Sequence, residues 1–166
     1  MSPAGTTFDL TRYQDPLTIQ RVIHQAKTVA IVGLSKNELR ASHFVGYYLR
    51  RHGFRVFPVN PREPEIFGEK SYASLLELPV PVDIVDVFRA PEALPGIAAE
   101  AVRIGAGALW CQFGVINEEG ARIAEEGSVP IVMDRCLKVE HARYVGRMHW
   151  LGFNTRRITS VRGGLQ

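Results

Sequence analysis

The sequence predicts an α/β fold, a doubly wound parallel five-stranded sheet with helices on both faces. Three observations carry that expectation. Short apolar runs alternate with amphipathic helical patterns along most of the 166 residues, the arrangement that builds parallel sheets from βα units. Two of the runs, VAIV at 29–32 and PIVM at 130–133, are apolar throughout, as strands covered on both faces must be. The first run ends in Gly33-Leu34-Ser35, and Arg40 follows. Turns of this kind deliver a phosphate to the start of a helix.

Asp15-Pro16 reads as N-cap and first helical residue, and Ile19, Val22, Ile23 and Ala26 follow at helical spacing. The first strand is 29–32. A helix is expected over 42–51, with Val45, Tyr48 and Leu49 inward and Gly53 as its stop. FRVFPV at 54–59 is the second strand, and Pro58 is expected to end its ladder. The Pro-rich stretch NPREPEIFGEKSY at 60–72 reads as a loop, and 75–78 as a brief helical turn. VDIVDVF at 82–88 is the third strand. Pro91 then opens a helix carrying Leu94, Ile97, Ala98, Ala101 and Val102, stopped by Gly105. ALWCQF at 108–113 is the fourth strand, Asn117 caps a helix ending at Gly127, and 130–133 is the fifth strand. The expected order of the five is the Rossmann-like 3-2-1-4-5, which places a ligand crevice over the C-terminal end of the first. Residues 15–146 form one domain, with an N-terminal extension over 1–14 and a basic C-terminal extension over 147–166.

Hydrophobic residues make up 46% of the chain and charged residues 22%, which is a globular rather than a disordered composition. No apolar run approaches the roughly 18 residues that span a bilayer, and the N-terminus lacks a charged and then apolar leader. Two cysteines make no disulfide framework. A cytoplasmic protein without membrane contact is expected. The net charge of +3 is unevenly placed, because 147–166 carries Arg147, Arg156, Arg157 and Arg162 and no acid. The body is near neutral, which argues against nucleic acid as a partner.

Function is legible at the strand ends. Gly33 permits a tight turn, and the backbone N–H groups around Leu34, Ser35 and Lys36 are placed to face an anion. The Ser35 hydroxyl adds a donor, and Arg40 can clamp a phosphate through two N–H bonds. The alternative is a plain strand-to-helix connection with a surface arginine. The turn is an incomplete dinucleotide fingerprint, since Ser35 and Glu38 stand where G-x-G-x-x-G has its later glycines. After the second strand, Val59-Asn60-Pro61 replaces the acid that binds the ribose of NAD, and Arg62 follows. A ligand with an extra phosphate on its ribose suits that better. Phe88, Arg89 and Pro91 close the third strand, and Gln112 and Gly114 the fourth, facing the same crevice. Phe88 is read as an adenine surface or as core, Arg89 as a phosphate contact or a solvated cation, and Gln112 as a hydrogen-bonding arm.

GLSKNELRAS, PVNPREPEIFGEKSY, VDIVDVFRAPEALP, GALWCQFGV and VPIVMDRC together resemble, over roughly 15–145, the small stand-alone CoA-binding proteins. These are relatives of the CoA-binding domain of succinyl-CoA synthetase and similar acyl-CoA ligases. The resemblance implies a Rossmann-like domain that binds coenzyme A. By it, Gly33, Leu34, Ser35 and Arg40 hold the phosphates, Val59, Asn60 and Pro61 border the adenosine, and Phe88, Arg89 and Pro91 line the other side.

In the ligases a phosphorylated histidine and an ATP-grasp domain perform the chemistry. Nothing here resembles a grasp module, and His24, His43, His52, His141 and His149 lie in no nucleophile motif. The chain is therefore read as a binding module for coenzyme A or acyl-CoA that buffers, senses or presents it, rather than an enzyme. An NAD(P)-dependent oxidoreductase and an accessory subunit of an acyl-CoA synthetase are the alternatives. No cysteine and histidine spacing fits a metal. Cys111 reads as core, and Cys136, at the crevice edge, as structural or as a mixed-disulfide partner of the CoA thiol. Trp150, Leu151 and Phe153 of the tail are expected to dock on the domain, on a second copy in a homodimer, or on another protein.

Overall fold

The computed structural model describes residues 7–146. The expected docking of Trp150, Leu151 and Phe153 lies outside the described residues. In chain order come α1 (Pro16–Gln25), β1 (Thr28–Val32), α2 (Ala41–Arg51) and β2 (Arg55–Val59). A hairpin of β3 (Glu65–Ile66) and β4 (Glu69–Lys70) follows, then β5 (Ile84–Val87), α3 (Leu94–Arg103) and β6 (Leu109–Cys111). The last elements are α4 (Glu118–Glu126), β7 (Ile131–Val132) and α5 (Leu137–His141). Five strands form one parallel sheet.

Strand alternation sorts the core into two layers. Val29, Ile31, Ile84 and Trp110 pack with Ile19 and Ile23 of α1, Val45 and Leu49 of α2, and Leu137 of α5. Ala30, Val32, Val85, Val87 and Cys111 pack with Leu94, Ala98 and Ala101 of α3 and Ala121 and Ala124 of α4. The sheet is thus covered on both faces. Local capping follows the sequence: the Asp15 side chain accepts the Thr18 N–H, and Asn117 accepts the Gly120 N–H. Asp83 ties the start of β5 to β1, accepting the N–H groups of Lys27 and Thr28 at 2.7 and 3.0 Å. Burial opposes its ionisation, but these bonds and the Thr28 hydroxyl hold its carboxyl below the ordinary range.

The strand order departs from the expected 3-2-1-4-5. It is β2-β1-β5-β6-β7, so the third long strand pairs with the first and not with the second. Pro58 supplies the physical reason. It stays within the ladder opposite Ile31, rather than ending it, and its carbonyl accepts the Tyr72 N–H on the far side at 2.9 Å. Its missing donor therefore faces outward, which is tolerable only on an edge strand. The chain then runs through the β3–β4 hairpin and a 3-10 turn at Leu75–Glu77 and enters the sheet on the other side of β1. The switch in strand order still falls beside β1, the place such folds use for ligands. The helix expected from Pro91 begins as a 3-10 turn and becomes α-helical at Leu94.

Candidate functional site

Three strand ends meet at the switch point. Gly33 follows β1, Asn60 follows β2 and Phe88 follows β5. The Gly33 N–H donates to the Val59 carbonyl at 2.9 Å, and the Phe88 N–H donates to the Val32 carbonyl at 2.8 Å. Together with Ser35, Arg40, Ala41, Ser42, Pro61, Arg62 and Arg89 they line a cleft of about 590 Å³. The lining holds three arginines and no carboxylate.

The start of α2 opens into this cleft. Its N-cap is Arg40, whose side chain makes no capping bond, and its first turn has no acid. The N–H groups of Ala41 and Ser42 have no acceptor among the described residues. A helix start left in this state is met by water or by an anion, and its dipole favours the anion. The loop before it is satisfied only in part from within. The Ser35 N–H donates to the Ser42 hydroxyl at 3.0 Å, the Asn37 N–H to Ser35 Oγ, and the Leu39 N–H to the Asn37 side chain. The N–H groups of Leu34, Lys36 and Glu38 likewise have no acceptor among the described residues, so the turn and the helix start both offer donors. Ala41 and Ser42 escape a sequence reading because backbone donors leave no residue signature.

Of the residues singled out in the sequence, the structure brings Gly33, Ser35, Arg40, Asn60, Pro61, Phe88 and Arg89 to the cleft. It places the rest elsewhere. Leu34 is fully buried, and its carbonyl accepts Asn60 Nδ2 at 2.9 Å. Lys36 turns to Glu63 at 3.4 Å. Val59 is core, and Pro91 starts the turn before α3. Gln112 is buried with its amide on Asp86 at 2.5 Å, and Gly114 gives its N–H to Asp134 at 2.8 Å. Cys136 is half-buried away from the cleft lining, and burial pushes its thiol up, against thiolate chemistry. A second groove of about 730 Å³ between 7–13 and α4 is lined by Asp9, Glu118, Glu119 and Glu125 against Arg12 and Arg122, a poor match for a polyanion.

The hairpin straps the cleft wall to α2. Phe67 sits at its tip with φ of 59°, a conformation costly for a bulky residue. Its ring lies 4.7 Å from that of His43 and under the Arg50 guanidinium at 5.0 Å, while Arg50 donates to its carbonyl at 2.9 Å. Gly46 makes the approach possible, since a Cβ there would stand 2.9 Å from the ring.

A family model described as a CoA binding domain matches residues 27–142. The chain belongs to the CoA-binding domain family. An uncharacterized member-sized relative, YneT of Bacillus subtilis, is 40% identical over 124 residues, covering 75% of this chain and 92% of the relative. An ADP-forming acetate–CoA ligase of Archaeoglobus fulgidus is 31% identical over 108 residues. That match spans 63% of this chain and 16% of the ligase. A solved structure from Thermus thermophilus superposes with a TM-score of 0.74 at 44% identity, covering 78% of this chain and 98% of that one.

In this CoA-binding domain Gly33 meets both a backbone and a packing constraint. Its φ is +90°, and an added Cβ would stand 2.6 Å from the Phe88 carbonyl oxygen. Gly33→Ala combines left-handed strain with overpacking against backbone, about 3 kcal/mol in total. Thermal denaturation should show Tm lower by about 6–12 °C. An unchanged Tm would show that β1 and β5 can part here without loss.

Proposed function

We propose that this chain binds coenzyme A or its acyl thioesters in the cleft at the ends of β1, β2 and β5. It acts as a non-catalytic module that holds the cofactor for another protein, in a cytoplasmic setting. One observation carries the reading: three arginines and the open start of α2 surround a cleft lined by no acid. Coenzyme A brings three phosphates, two in the diphosphate and one on the ribose. The helix start and Arg40 would take the diphosphate, Arg62 or Arg89 the ribose phosphate, and Phe88 the adenine.

NAD fits less well. The Asn60 side chain already donates to Leu34 and accepts the Arg62 N–H at 2.8 Å, and no acid stands directly after β2 to take both ribose hydroxyls. The cleft lining also contains no histidine, cysteine or carboxylate, the groups that general acid–base and most nucleophilic catalysis require. The A. fulgidus ligase, named for joining acetate to CoA, carries a similar stretch as about a sixth of its length, in keeping with a module that serves chemistry done elsewhere.

Thermal shifts with CoA, acetyl-CoA, NAD, NADP and ADP test the reading. CoA at about 100 times its Kd should add roughly 2.7 kcal/mol and raise Tm by about 5–10 °C. NAD should leave Tm unchanged. A shift with NAD or NADP and none with CoA would overturn the proposal.

A further inference from the structure

At the end of α2 far from the cleft, α1, α2 and α5 meet in a cluster of histidines with no carboxylate partner. His141 of α5 is buried, with Nδ1 2.8 Å from the Tyr48 hydroxyl. Its ring stands edge-on to those of Tyr48, His52 and Phe54, at centroid distances of 5.5, 5.4 and 5.3 Å. His52 stacks on Tyr48 at 4.0 Å, and its Nδ1–H donates to the Tyr48 carbonyl at 2.8 Å. The titratable groups around His141 are Tyr48 from α2, His52 at its C-cap, His24 from α1, and Lys138 of its own helix, whose ammonium lies 5.3 Å from the Tyr48 ring. Glu140, the preceding residue, is turned to Arg143 at 3.3 Å. No ion pair among the described residues involves a histidine.

We propose that this cluster is an acid-operated latch. It holds α5 against α1 and α2 while His141 is neutral, and releases α5 when His141 takes up a proton. Release would uncover the sheet face where Leu137 and Cys136 pack beside Trp110, on the same side as α2, whose other end forms the cleft.

The geometry makes the charged state unfavourable for two reasons. A buried imidazolium here has aromatic neighbours in place of water. The basic groups His52, His24 and Lys138 lie around it with no acid to offset its charge. Burial, with His52 and His24 close by, accordingly holds His141 down at about 4, against an ordinary 6.5. Between those values the undocked helix binds the proton and the docked helix does not. Docking is therefore at full strength above about 6.5 and weakens as pH falls toward about 4, by on the order of 100-fold. The five residues after α5 form a π-turn, Ala142–Gly146, and such turns are frequent at functional sites.

Hydrogen exchange of the full chain at pH 7 and pH 5, corrected for intrinsic rates, tests the latch. Amides of 139–145 should lose protection roughly 20-fold at pH 5, while those of α3, which has no histidine, keep theirs. His141→Phe retains an aromatic ring without a titrating group, and its α5 should be equally protected at both pH values. Should that variant fail to fold, His24→Gln with His52→Gln decides, since both positions are exposed and their removal should shrink the loss. Equal protection of wild-type α5 at both pH values would overturn the proposal. So would an equal loss in the variants, or loss in α3 together with α5.

Discussion

An Arg40→Glu variant is expected to bind coenzyme A on the order of 1,000-fold more weakly, the largest effect on binding of any single change in the cleft. Charge-assisted hydrogen bonds from a guanidinium to phosphate contribute about 1.5–3 kcal/mol. A carboxylate in its place adds repulsion of similar size, so the total is about 4 kcal/mol. The fold should not suffer. Arg40 is exposed, its side chain makes no capping bond, and an acid at a helix start interacts favourably with the helix dipole. The variant's Tm without ligand should therefore equal or slightly exceed that of wild type. Calorimetric titration at fixed salt measures the loss, and Arg40→Ala should fall between, at about 30-fold. Arg122→Glu, on α4 and far in sequence, serves as the control for net charge. If the two reversals weaken binding equally, the effect is long-range and Arg40 does not touch the ligand.

Much of the cleft lining is legible in the sequence, because its residues sit immediately after apolar runs. Gly33, Asn60 and Phe88 each follow a strand that periodicity alone locates. The strand order was not legible, since alternating βα units are compatible with either order. Pro58 held the clue, but which side its absent N–H faces appears only when β1 and β2 are paired. Lys36 and Gln112 read as ligand contacts because their partners are remote in sequence. Glu63, 27 positions on in the sequence, pairs with Lys36 at 3.4 Å. Asp86 comes beside Gln112 only when β5 and β6 align, with Val87 opposite Cys111. The short α5 carries too few residues for a periodic signal, and its hold on the domain is a matter of tertiary packing.

Asp86 is also the site of the second large effect. Asp86→Asn is expected to stabilise the domain at neutral pH, by about 2 kcal/mol. Asp86 lies at 0% exposure on β5, the centre strand of the sheet. One oxygen accepts the Gln112 amide at 2.5 Å, and the other has no partner. Burial pushes the carboxyl up to about 8, although the Gln112 bond opposes this. The sign follows from linkage. Stability from the protonated form is fully present below the ordinary value of 3.8 and is lost as pH rises through about 8. Near pH 7 the folded chain has given up about 4 kcal/mol relative to a group that does not titrate. Asn keeps the acceptor for Gln112 and abolishes the titration, while its own unpartnered N–H group costs about 1–2 kcal/mol. Tm at pH 7 should rise by about 4–8 °C. Denaturant unfolding at pH 5, 7 and 9 gives the sharper test, because the advantage of Asn should grow with pH while the His141 contribution cancels in the difference. A difference that stays constant with pH would mean that Asp86 is ionised in the folded chain or reached by water.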